Sequence, residues 1–170
     1  MNNVLWSPSS SAKIDSKMAL FIKYVNKKHD MSIDNYSDLH RWSIDNIELF
    51  WSSISDFFKI KYSSKAKSIF KPSNKINKNK WFQGASLNYA ENILESKDLS
   101  KNAIDFFNEL GDHSSITYGQ LYTRVSAVAD LFKKIGVKKG DRVAAMMPNV
   151  PETVVSSLAS ASLGAIWSSC

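Results

Sequence analysis

Gly140-Asp141-Arg142-Val143-Ala144-Ala145-Met146-Met147-Pro148-Asn149-Val150-Pro151-Glu152 opens the stretch whose reading decides the fold, and Ser162-Leu163-Gly164-Ala165-Ile166-Trp167-Ser168-Ser169-Cys170 closes it. Val143 to Met147 is an apolar run of small and branched residues, the length of a strand buried on both faces. Pro148-Asn149 stops it. Pro151 suits the first position of a helix, where its missing N–H costs nothing and its fixed φ is already helical. Glu152 places a negative charge in the first turn, next to the positive end of the helix dipole. Gly164 fits the left-handed residue that ends such a helix, and Ala165-Ile166-Trp167 begins a second strand. Twelve helical residues rise ~18 Å, close to the length of a short strand, so the stretch predicts a parallel strand–helix–strand unit. A parallel sheet normally has several strands and helices on both faces. The pattern therefore predicts the opening of a larger α/β domain, cut short at Cys170.

The rest of the chain is consistent with a folded body. It has 170 residues, 44% hydrophobic and 12% aromatic, enough for a core. The net charge of +6 is local: eight lysines lie between Lys59 and Lys80 with no acid among them, leaving the remainder at −2. One cysteine excludes an internal disulfide and suits a reducing cytoplasm, the expected location. No apolar run approaches the ~18 residues of a membrane span, and the start, Met1 to Ser7, lacks the basic and apolar regions of a secretory leader.

Before the deciding stretch, residues 1–11 are polar and expected to be loose. From Ser11, Ile14, Met18, Phe21, Ile22 and Val25 recur at helical spacing, with Lys27, Lys28 and His29 at the negative end. Ser37 is a candidate cap for a short helix holding Leu39, Trp42 and Ile44. Asp45 with Glu48 has capping-box spacing ahead of Ile47, Phe50, Trp51, Ile54, Phe57 and Phe58. Residues 1–58 thus read as a helical extension of three helices with aromatic stripes. Residues 59–80, rich in Lys, Ser and Asn, read as an exposed connection. From residue 81, Gly84 permits a turn and Ser86 could cap a helix bearing Leu87, Ala90, Ile93 and Leu94. Ala103–Phe107 and Ser115–Thr117 are strand candidates about a polar turn. Thr117-Tyr118-Gly119-Gln120 is a capping box opening a helix with Leu121, Val125, Val128, Ala129 and Phe132 inward, closed by Gly136.

Little in the sequence points to chemistry. The six glycines form no phosphate cradle, and His29, His40, His113 and Cys170 lack metal-ligand spacing. Asp112-His113-Ser114 sets three triad residue types side by side, but neighbours on an extended chain face opposite ways, so a hairpin turn is the expectation. Asp105, Glu109 and Asp112 straddle that turn and are expected to be solvated. Ser168, Ser169 and Cys170 sit where α/β sheets collect ligands, at the carboxyl end of a parallel strand, although packing alone also accounts for them.

Trp81-Phe82-Gln83-Gly84-Ala85-Ser86-Leu87-Asn88-Tyr89-Ala90-Glu91-Asn92 resembles the junction segment of acyl-CoA synthetases of the acetyl/acetoacetyl branch. Gly140-Asp141-Arg142-Val143, Pro148-Asn149-Val150-Pro151-Glu152 and Gly164 to Cys170 are similar to the opening of their AMP-binding domain. Asn88–Asn92, Trp167–Cys170 and Leu39-His40-Arg41-Trp42-Ser43 with Phe50-Trp51 look most like the acetoacetate-using members. The resemblance implies an α/β adenylate-forming fold in three parts: a helical N-terminal extension (1–58), a Lys-rich connection (59–80) and the first strand–helix–strand units of an AMP-binding domain (81–170). It implies an ATP-dependent acetoacetate–CoA ligase passing through an acyl-adenylate, with ATP, Mg²⁺ and coenzyme A as cofactors of the full-length family. The family's phosphate loop, adenine and ribose segments and adenylation lysine lie beyond the equivalent of Cys170. No catalytic, cofactor-binding or metal residue is therefore assigned, no cofactor is expected for this chain, and by itself it is expected to be inactive. Trp81, Phe82, Gly84, Asn88, Pro151, Glu152, Gly164, Trp167 and Ser168 are family-signature positions, mostly structural. The partners implied are acetoacetate, ATP and coenzyme A, with the remainder of a split synthetase as a further one; neither a nucleic acid nor a membrane is expected. Three alternatives stay open: an acetyl-CoA synthetase-type fragment, a non-catalytic docking module, and a nucleic-acid binder through Lys59–Lys80.

Overall fold

The computed structural model describes residues 5–95 and 98–170. It divides into two units, Met1–Ile60 with Lys65–Ala85, and Lys61–Ser64 with Ser86–Cys170.

The first unit opens with four helices, α1 (Ser10–Asp15), α2 (Lys17–His29), α3 (Tyr36–Asp45) and α4 (Ile47–Phe57). The single helix expected from Ser11 is broken at Ser16. Its hydroxyl accepts from the Ala19 amide and donates to the Lys13 carbonyl, local bonds that compete with the helical ladder and make it the cap of α2. Two further caps differ from expectation. Asn35, not Ser37, caps α3 by accepting from the Asp38 amide at 3.0 Å. Asp45 is the last residue of α3, and the cap position of α4 falls to Asn46, which makes no side-chain capping bond. Of the polar start, residues 1–4 lie outside the described residues.

Phe21, Val25, Ile33, Leu39 and Trp42 form the core of this unit, with Phe50, Ile54 and Phe57 packed against it. Phe21 meets Phe50 and Phe57 edge-on at 5.9 and 5.3 Å, geometry that the ring quadrupoles favour. Inside this apolar cluster Ser53 is fully buried, and its hydroxyl is satisfied by Nε2 of His29 at 2.7 Å. The lysine-rich stretch is more than a connection. Ser68–Lys71 (β1) pairs antiparallel with Lys80–Gln83 (β2), placing Phe70 opposite Trp81. The sequence shows no strand there because Lys, Ser and Asn dominate the segment and its few apolar residues, such as Ile69 and Phe70, do not alternate with polar ones.

The second unit continues with α5 (Tyr89–Leu94), β3 (Asn102–Phe107), β4 (His113–Thr117), α6 (Tyr118–Lys134), β5 (Arg142–Ala145), α7 (Pro151–Ser162) and β6 (Ile166–Ser169). Asn88 rather than Ser86 caps α5, and Leu87 stays outside the helix. The Thr117–Gln120 capping box forms in full. Leu121, Val125 and Ala129 of α6 join Val155, Leu158 and Ala159 of α7, Ile116 of β4, and Ala90 and Leu94 of α5 in one buried cluster. Both long helices end alike. Gly136 and Gly164 take φ of +93° and +72°, and the residue after each donates back to the carbonyl five before it (Val137 to Phe132, Ala165 to Ser160). This closes orphan carbonyls at a position that a β-carbon would strain.

The deciding stretch forms the parallel unit it predicts: β5 and β6 pair in parallel, Arg142 with Ile166 through Ala145 with Ser169, with α7 between them in sequence. Burial is one-sided, not that of a strand covered on both faces. Val143 and Ala145 are half-buried, but Arg142 and Ala144 are exposed, and the strand ends at Ala145 rather than Met147. A two-stranded sheet with one crossover helix covers one face only, so side chains alternate between a covered and an open side.

Candidate functional site

Ligands in open α/β sheets collect at the carboxyl ends of the parallel strands, which here are Ala145–Pro148 and Ser169–Cys170. The ladder continues past the strand ends: the Met147 amide donates to the Cys170 carbonyl at 3.1 Å, and the Cys170 amide to Ala145 at 3.2 Å. Pro148 then turns the chain. Its carbonyl accepts the Thr153 hydroxyl at 2.8 Å and the Val150 amide at 2.9 Å, tying the strand end to the first turn of α7. Thr153 was not singled out in the sequence; a hydroxyl in the first turn of a proline-initiated helix was the available signal.

Four signature residues lie along this edge. Pro151 is buried at the start of α7, and Glu152 is exposed in the same turn. Trp167 lies half-buried in β6, its indole N–H donating to Ser169 Oγ at 3.1 Å. Ser168, one residue before, projects to the open side with Ala144 and Ile166. Ser168, Ser169 and Cys170 are all exposed.

The other signature residues lie elsewhere. Gly164 ends α7 at the opposite end from Pro151. In the first unit, Trp81 packs its ring 4.4 Å from Phe70 and 5.6 Å from Trp51, fastening the β1–β2 hairpin to α4. Phe82, inside β2, and Gly84, in the turn that follows it, take positive φ of +43° and +84°.

Asn88 does most. Its Oδ1 caps α5 by accepting from the Glu91 amide at 3.2 Å, and its Nδ2 donates to the carbonyls of Ala161 and Ser162 at 3.1 and 3.0 Å. One amide thus satisfies orphan groups at the start of α5 and at the end of α7. Asn92 plays a similar part, exchanging hydrogen bonds with the backbone N–H and C=O of Lys61. Lys61 also pairs with Glu95, and that hydrogen bond holds the ammonium above its ordinary pKa.

A cleft of about 470 Å³ opens among α5, α6 and α7, with Asn88, Leu94, Tyr122, Val125 and Leu163 in its lining. It sits at the Ser162 end of α7, away from the strand termini.

The triad residue types are not brought together. Asp112 is in the hairpin turn, bonded to Asn108; the His113 ring stacks on Phe107 at 4.2 Å; Ser114 is the next residue on an extended strand. Asp105 accepts from Ser115 and Asn102 and does not join Glu109. Among the described residues, no group of three or more His, Cys, Asp or Glu side chains could hold a metal ion. The described residues therefore offer no donor set for Mg²⁺.

Comparison with known proteins accounts for this architecture. Residues 36–93 match the acetyl-coenzyme A synthetase N-terminus family, and residues 95–170 match the AMP-binding enzyme family. An acetoacetyl-CoA synthetase of Danio rerio is 37% identical over 170 residues, covering 99% of this chain and 25% of that protein. A malonamoyl-CoA synthetase of Penicillium aethiopicum is 35% identical over 170 residues, covering 96% of this chain and 23% of that protein. The solved acetoacetyl-CoA synthetase from Streptomyces lividans superposes with a TM-score of 0.88 at 29% identity, over 99% of this chain and 26% of its own. The chain spans about a quarter of the length of the curated relatives it matches. It matches an N-terminal portion of the acetoacetyl-CoA synthetases.

Proposed function

We propose that this chain supplies the N-terminal part of an ATP-dependent acetoacetate–CoA ligase, which converts acetoacetate, ATP and coenzyme A to acetoacetyl-CoA, AMP and pyrophosphate through an acyl-adenylate. The observation that carries the reading is the parallel β5–α7–β6 unit with one face open. Met146 is 89% exposed and Ile166 55%, with Ala144 exposed beside them. Apolar side chains on the uncovered face of a parallel pair are what a growing α/β sheet would bury. The partner proposed for that face is the remaining three quarters of the synthetase, on the same or a separate polypeptide.

The signature positions are proposed to act structurally: Asn88 and Gly164 by closing helix ends, Trp81 by fastening a hairpin, and Pro151 and Glu152 by starting α7. Trp167 and Ser168 would place β6 within the enlarged sheet. Residues 1–58 are proposed as a helical extension and 81–170 as the beginning of the adenylate-forming body, in the cytoplasm; no helix among the described residues is long and apolar enough to cross a membrane. Acyl choice would come largely from the remaining part, since a malonamoyl-CoA synthetase matches these residues nearly as well as an acetoacetyl-CoA synthetase does.

The test is an assay for acetoacetyl-CoA with the chain alone, with a relative trimmed of the matching quarter, and with the two mixed. Activity only in the mixture supports the reading; activity of the chain alone refutes it. A docking module without catalytic partnership would bind the trimmed relative and restore nothing.

A further inference from the structure

The β1–β2 hairpin has two unlike faces. Phe70 and Trp81 lie on one, against Trp51 of α4. The other, by strand alternation, carries half-buried Ile69 and Phe82 with Lys71 and Lys80 towards the tip and Lys67 just before β1, and the register sets Lys71 directly opposite Lys80. Like charges directly opposed destabilise a sheet. Lys75 and Lys78 lie in the connection between the strands, and none of these five lysines is in an ion pair among the described residues.

Between Lys75 and Lys78 stands Ile76, 90% exposed. The connection that presents it is held in place: the Ser73 amide donates to Asn79 Oδ1 at 2.8 Å, and the Lys78 amide to the Lys75 carbonyl at 2.9 Å.

We propose that this hairpin tip is a peripheral docking site for an anionic lipid surface, with Ile76 entering the headgroup layer and Lys71, Lys75, Lys78 and Lys80 meeting lipid phosphates and carboxylates. Lysines near an anionic leaflet attract it without sequence or shape selectivity, each by roughly fivefold in partitioning. An apolar residue among them adds burial at the interface. A nucleic-acid partner is the weaker fit: the segment has no arginine to read bases, and the Trp81 ring is engaged edge-on by Trp51 of α4. The absence of a spanning segment, from which no membrane partner was expected, does not bear on a peripheral contact.

The test is co-sedimentation of the full 170-residue chain with vesicles of phosphatidylcholine alone or with 30% phosphatidylserine. The expected result is binding to the anionic vesicles only, lost in 0.5 M salt. Replacing Lys71, Lys75, Lys78 and Lys80 together by Gln is expected to weaken binding at least fiftyfold, and Ile76→Ser severalfold with the salt dependence unchanged. Replacing Lys13, Lys17, Lys23 and Lys27 by Gln removes the same charge from α1 and α2 and should leave binding near the wild-type level. Equal loss in both quadruple variants would overturn the proposal in favour of net charge alone. So would binding to neutral vesicles, no binding to anionic vesicles by a chain with native circular dichroism, or tighter binding to duplex RNA that Ile76→Ser does not weaken.

Discussion

The side-chain amide of Asn88 donates to the backbone carbonyl of Ser162 at 3.0 Å, joining residues 74 apart in sequence. It donates to Ala161 as well, and its oxygen caps α5, so three backbone groups depend on one side chain. Asn88→Ser should keep the cap and lose the carbonyl tie; Asn88→Ala should lose both. The expected costs are about 1–2 kcal/mol for Ser and about 2–3 kcal/mol for Ala. Urea denaturation of the two variants measures them. Equal midpoints for Ser and wild type would show that the tie to α7 contributes nothing.

Gly164 and Gly136 end helices in the same way but differ in surroundings. A β-carbon at Gly164 would approach Lys139 Cγ at 3.1 Å, whereas one at Gly136 meets nothing within 4 Å. Both Ala substitutions carry the left-handed penalty of about 1–2 kcal/mol. Gly164→Ala is expected to cost a few tenths more, limited because the lysine stem can move aside. Thermal melts of the pair resolve the difference.

Leu158 is buried in the second unit's core, while Ala144 faces outward on the open side of β5. Leu158→Ala should cost about 2–5 kcal/mol through lost burial and a cavity. Ala144→Glu should change the stability of the isolated chain by no more than about 0.5 kcal/mol. Chemical denaturation checks both, and a large loss for Ala144→Glu would mean that face is covered.

In the first unit, Lys28 pairs with Asp56 at 2.5 Å, and this hydrogen bond is the main cause that raises the ammonium above its ordinary value of 10.5. A raised folded pKa contributes stability that is fully present below 10.5 and is lost as pH rises through the folded value. The pair is partly exposed, so Lys28→Met should cost less than about 1 kcal/mol at pH 7. The difference from wild type should shrink as the pH passes 10.5, which a series of urea titrations would show.

Much of the fold was legible because its signals are local. Pro151, Gly164, the Thr117–Gln120 box and the α6 stripe each act within a few residues, and each behaves in the structure as the sequence implies. The caps at Asn35 and Asn88 were harder to place, since several small polar residues stand close together and tertiary bonds choose among them. The β1–β2 hairpin was hidden: its pairing depends on Trp81 meeting Phe70 and Trp51, contacts that a lysine-rich local composition does not announce. The open face of β5 follows from the strand–helix–strand reading: the apolar run reports what a strand could bury, and a parallel pair with one crossover helix covers one face only. Ser168, Ser169 and Cys170 stand at the carboxyl end of a parallel strand, as read from the sequence, but they carry no metal-ligating cluster among the described residues, so no chemistry is legible from them.

The central claim is that the open face of β5 and β6 seats the rest of a ligase. The most direct measurement is acetoacetyl-CoA formation by a relative trimmed of its matching quarter, mixed with this chain or with its Ala144→Glu variant. The account predicts that the wild-type chain restores turnover and that the variant, equally folded by circular dichroism, lowers it at least tenfold. Equal restoration by both would contradict it, because a charge buried in that seat could not be neutral.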